Sequence, residues 1–76
     1  MFELQLIVNG FYPITIGMFD STREAVTAMK EHIRVHSAIS RPKYSKSWKD
    51  NHIRIDYGAV DCYYLIICRY EMGGSA

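Results

Sequence analysis

The segment CYYLIICRY, residues 62–70, constrains this chain more than any other. Read as a strand, it sends Cys62, Tyr64, Ile66 and Cys68 to one side and Tyr63, Leu65 and Ile67 to the other, with Arg69 following. A strand that is apolar on both sides normally lies inside a sheet and is covered twice. The remaining sequence offers one amphipathic helix to do the covering. The second side then needs another roof.

Three further strands are legible. In FELQLIV, Phe2, Leu4, Leu6 and Val8 alternate with Glu3 and Gln5, the pattern of a half-buried strand. Asn9-Gly10 is a hairpin signal. FYPITIG supplies the returning strand, with Tyr12, Ile14 and Ile16 alternating against Pro13 and Thr15. A two-residue loop would pair Val8 with Phe11 and put apolar residues of one strand beside polar residues of the other. A slip of one residue moves every side chain to the opposite face, so a bulge or a three-residue loop is expected. It pairs Val8 with Tyr12, Leu6 with Ile14 and Leu4 with Ile16. Pro13 cannot donate to a ladder, which predicts an edge strand. HIRIDY alternates again, and pairing Tyr57 with Cys62 aligns Ile55 with Tyr64 and Ile53 with Ile66.

Between these hairpins lies FDSTREAVTAMKEHIRVHS. Ser21 and Glu24 have the spacing of a capping box. Val26, Met29, Ile33 and His36, flanked by Ala25, recur at helical spacing and predict a helix over about 21–37, ending before Arg41-Pro42. The expected fold is therefore α+β. It is a two-layer sandwich of a four-stranded, mainly antiparallel sheet with one helix on one face, in the order β-β-α-β-β. Residues 1–72 form a single domain and 73–76, GGSA, a flexible tail.

On this plan the outer face is polar at Glu3, Gln5, Thr15, His52, Arg54 and Asp56 but apolar at Tyr63, Leu65 and Ile67, with Ile7 and Phe11 candidates for the same patch. Three occupants compete for it. Loop 40–51 could fold back so that Tyr44 and Trp48 cap the patch; a second copy of the chain could cover it; or another protein could dock there. The composition, 49% apolar with six Tyr and one Trp, favours an interface.

Residues 40–52, SRPKYSKSWKDNH, show neither a helical nor a strand period. Arg41, Lys43, Lys46 and Lys49 alternate with Tyr44 and Trp48, a mixture suited to single-stranded nucleic acid, with cations for phosphate and aromatic planes for bases. A net charge of +1 gives no global electrostatic attraction, so any polyanion site must be local. The longest apolar run falls far short of the roughly 20 residues of a membrane helix. A cytoplasmic location is expected, with no membrane partner.

Little here points to catalysis. Cys62 and Cys68, six positions apart on one strand, stand about 20 Å from each other, too far for a disulfide. Reduced cysteines agree with the cytoplasm. On the core face they act as small hydrophobes. His32 and His36 are four apart on the helix, yet a zinc site needs three or four ligands and no CxxC or HExxH is present. We expect no enzyme activity, no metal and no cofactor.

In architectural style, the helix FDSTREAVTAMKEHI after an N-terminal hairpin and the C-terminal hairpin RIDYGAVDCYYLIICRY resemble small phage-encoded accessory proteins of the anti-CRISPR type. The resemblance implies stoichiometric inhibition of a host protein or nucleoprotein complex, in the host cytoplasm, by blocking its nucleic-acid-binding surface. Many such proteins are acidic; this chain is not, which argues against charge mimicry. The leading expectation is a protein-interaction module whose contacts are Tyr44, Trp48, Tyr63, Leu65, Ile67 and Arg69. The alternative is a small single-stranded nucleic-acid-binding domain using Arg41, Lys43, Lys46 and Lys49.

Overall fold

A computed structural model describes residues 1–37, 39 and 41–69; the expected tail at 73–76 lies outside them. The order is β1 (Phe2–Val8), β2 (Tyr12–Phe19), α1 (Thr22–His36), β3 (Ser45–Trp48), β4 (His52–Asp56) and β5 (Tyr63–Cys68). All pairings are antiparallel, and the sheet order is β2-β1-β5-β4-β3. Among the described residues the α+β sandwich with one helix is as expected, but the sheet has five strands, not four.

The extra strand, β3, lies in the segment read as an aperiodic loop. Its four residues, SKSW, are all exposed. Ser45 to Trp48 pair with Asp56 to Ile53, and the Lys49 amide closes the turn on the His52 carbonyl at 2.9 Å. Backbone pairing, not burial, holds this strand, so hydrophobic alternation gives no sign of it. Its shortness and Lys46 are what blunt a sheet edge against further pairing.

The hairpin registers follow from alternation. Val8 faces Tyr12 and Leu6 faces Ile14, as the pattern required. Asn9 (φ 56°) and Gly10 (φ 80°) carry the turn, and the Phe11 amide donates to the Val8 carbonyl at 3.2 Å. Positive φ at two successive residues is the condition of a type I′ turn, which Asn-Gly meets at little cost. The expected pairing of Leu4 with Ile16 is corrected. A bulge between Leu4 and Gln5 leaves Gly17 opposite Leu4. The ring of Phe19 lies against Gly17, where a Cβ would come within 3.2 Å of it. Ile53 pairs with Ile66 and Ile55 with Tyr64, as anticipated, and Pro13 does sit on an edge strand.

Ser21 caps α1 by accepting from the Glu24 amide at 3.1 Å. Glu24 reaches back to the Asp20 amide at 3.3 Å, one residue earlier than a capping box would place it. Ala25, Met29 and Ile33 are the helix residues buried against the sheet. They meet Leu4, Ile55, Tyr57, Tyr64 and Ile66 in one core. The helix packs over β1, β2 and β5. A helix about 10 Å across cannot also cover outer strands spaced about 4.8 Å apart. Two consequences follow. At the far end of β2, Tyr12 and Ile14 are exposed, contrary to their expected place in the core. Between the helix and the β4–β3 hairpin a groove is left open.

His32 is more than a surface histidine. Its Nδ1 lies 2.7 Å from the Tyr64 hydroxyl, a hydrogen bond that gives the buried phenol a partner. Burial, and next the charge of His36, push the imidazole below its ordinary range. The His32 and His36 ring centroids are 4.4 Å apart. Burial likewise pushes the Tyr64 phenol far up.

Candidate interaction face

Strand registers assign the paired residues to faces. On the side away from the helix, Thr15, Gln5, Leu65, Arg54 and Ser47 form one cross-strand row, and Met18, Glu3, Ile67 and His52 form another. A third row holds Pro13, Ile7 and Tyr63. The apolar residues form a stripe through the sheet centre: Ile7, Tyr63, Leu65 and Ile67. Tyr63, Leu65 and Ile67 are half-buried, and Ile7, between Pro13 and Tyr63, is buried. The described helix packs on the opposite face, so among the described residues the stripe is sheltered by neighbouring side chains of the sheet.

Those neighbours make two polar clusters, one on each flank. On the β1–β2 side the Glu3 carboxylate accepts from Thr15 Oγ1 at 2.6 Å, from Gln5 Nε2 at 3.0 Å and from Arg69 Nε at 2.8 Å. Arg69 is fixed in turn, since its backbone exchanges hydrogen bonds with that of Met1. The donors, Thr15 first, then Gln5 and Arg69, lower the Glu3 pKa to about 2 despite its burial. On the β4 side Arg54 pairs with Asp56 at 3.2 Å and lays its guanidinium over the Tyr63 ring, 3.9 Å from the centroid. An apolar centre with a polar rim is the anatomy of a protein interface.

The Glu3 cluster has a measurable signature. A carboxyl that titrates lower when folded adds stability above its unfolded pKa and loses it as pH falls through its folded one. The Glu3 window therefore runs from its ordinary value of 4.5 down to about 2. Glu3→Gln is expected to cost about 1 kcal/mol at neutral pH, a small value because Arg69 is half exposed. It should also flatten the acid limb of stability across that window. Urea titrations of both proteins over this pH range check it.

The residues expected to act together are divided by the sheet. Tyr63, Leu65, Ile67 and Arg69 belong to the face just described. Trp48 pairs with Ile53 and so points to the helix side, where it is 68% exposed. Tyr44 lies on that side too, under Lys30, whose Nζ is 5.5 Å from the ring centroid. The reading in which the loop folds back and Tyr44 and Trp48 roof the β5 patch is thus corrected: β3 anchors them on the other face. Of the four loop cations only Lys46 lines the helix-side groove. Lys49 lies in the β3–β4 turn, and Arg41 and Lys43 lie in the connector before β3. Cys62 and Cys68 are both free. Among the described residues no three His, Cys, Asp or Glu side chains come together as metal ligands. Nor, among them, is any helix long and apolar enough to cross a membrane.

The chain matches no protein-family model, no curated protein and no solved structure.

Proposed function

We propose that this protein is a non-enzymatic interaction module that docks another protein on the open face of its sheet. The observation that carries this reading is the stripe of Tyr63, Leu65 and Ile67 on a face that no described element covers, edged by the Glu3–Arg69 and Arg54–Asp56 clusters. A partly exposed apolar centre edged by polar groups has the anatomy of an interaction site. The groups with displaced pKa values have structural partners: Glu3 has Arg69, and His32 has Tyr64. The form of docking implied by the likeness to phage accessory proteins is occlusion of a host complex's nucleic-acid-binding surface. A second copy of this chain is the competing occupant.

A photo-crosslinking residue at position 65 tests the reading, with one at Val35, exposed on the helix, as control. The expected result is one adduct of defined mass from position 65 only, competed away by excess unlabelled protein. An adduct of twice the chain's mass would make the partner a second copy. Adducts of equal yield from both positions would contradict a dedicated face.

A further inference from the structure

The groove left beside the helix has a different chemistry from the open face. It has a volume of about 490 Å³ and is lined by Arg23, Val26, Lys30, Lys46, Trp48, Ile53 and Ile55, together with Thr22 and Thr27. Its floor is apolar, one wall carries an indole that is mostly exposed, and three basic residues of α1 and β3 line it, Lys30 at its boundary with the Tyr44 ring. No lining residue is acidic. Among the described residues Arg23, Lys30 and Lys46 form no ion pair; the helix carboxylate Glu31 is taken by Arg34. A second depression of about 450 Å³ continues from the shared Lys30 past Arg34 to Tyr44. From Arg23 to Arg34 the helix flank runs about 16 Å at about 1.5 Å per residue.

From these features we infer that the groove binds single-stranded nucleic acid, with a base stacked on Trp48 and the backbone phosphates held by Arg23, Lys30 and Lys46. Cations alone would suit any anion, and an exposed indole alone would suit any apolar partner. Together, in a concave site free of carboxylates, they match a chain that alternates flat aromatic rings with negative charge. The net charge of +1 is no obstacle, because the three cations are concentrated in one groove. The helix-side residues Arg23 and Lys30 lie far in sequence from the basic loop, so only the fold assembles the set. The site is on the opposite side of the sheet from the docking face and does not rest on it.

Trp48 is the only tryptophan, so its fluorescence reports on binding around this residue, and the charge reversals assign the signal to the groove. Titration with a short oligo(dT) at about 50 mM salt should quench it saturably. Three phosphate contacts at a single-strand slope of about −0.7 each predict binding about 20-fold weaker at about 200 mM salt. The double variant Arg23→Glu, Lys46→Glu should weaken binding more than about tenfold, while Leu65→Asp should leave it unchanged. Circular dichroism confirms that each variant is folded; Arg23 and Lys46 are exposed. A labelled oligonucleotide should bind Trp48→Ala at least about fivefold more weakly than wild type. Absence of quenching at low salt overturns the inference. So does quenching indifferent to salt or to the charge reversals. Thymidine monophosphate quenching as tightly as the oligonucleotide would assign the groove to a free nucleotide and overturn the strand.

Discussion

Replacing Ile55 by Ala is expected to remove about 3 kcal/mol of stability. Ile55 is fully buried in β4, opposite Tyr64 and beneath the same core that takes Met29 and Ile33. Truncation to Ala deletes buried carbon and leaves a cavity that a paired backbone cannot collapse to fill. Large-to-small changes at such sites cost about 2–5 kcal/mol. For a chain of 76 residues the whole folding free energy is on the order of 4–11 kcal/mol. The expected loss is thus a large share of the total, and the thermal midpoint should fall by more than about 10 °C. Val60→Ala, at a position 97% exposed, should change almost nothing. Urea denaturation with an unchanged slope checks both.

The largest functional effect is expected from Leu65→Asp. Leu65 is at the centre of the open face, flanked directly by Gln5 on β1 and Arg54 on β4. A carboxylate there would interrupt the apolar stripe and bring a charge into any partner's contact. Central anchors of this kind are worth about 2 kcal/mol or more in binding, about 30-fold in affinity. The position-65 adduct formed by the wild-type scaffold should therefore resist competition by excess Leu65→Asp protein. The fold should survive, because the new carboxylate would lie opposite Arg54 on a half-exposed face. The expected folding cost is about 1 kcal/mol, from the poor strand propensity of Asp. Competition equal to wild type, by a variant shown to be folded, would remove Leu65 from the interface.

Alternation and turn chemistry made much of this fold legible. Ile53 opposite Ile66, Val8 opposite Tyr12 and the Ser21 cap all follow from local pattern. What the pattern could not reveal depends on where the helix comes to rest. Tyr12 and Ile14 alternate like core residues, yet α1 stops short of them. Ser45–Trp48 has no buried side chain, so nothing in its hydropathy marks a strand; it exists because β4 offers a free edge. That unseen strand turned Trp48 to the helix side and divided the expected contacts between two surfaces. The bond from His32 to Tyr64 joins residues 32 positions apart, and only the packing of helix on sheet creates it. The β5 stripe was legible from the start, because a strand apolar on both sides stands out in any register.

Among the described residues one face of the sheet is covered by α1, and no element packs on the other. The most direct measurement adds a soluble paramagnetic agent to the dilute protein and follows side-chain NMR signals. Leu65 and Ile67 should broaden strongly while Leu4, Ile55 and Ile66, at most 1% exposed, remain sharp. Equal protection of both groups at every protein concentration would mean that the chain shelters its own second face, and would contradict the account.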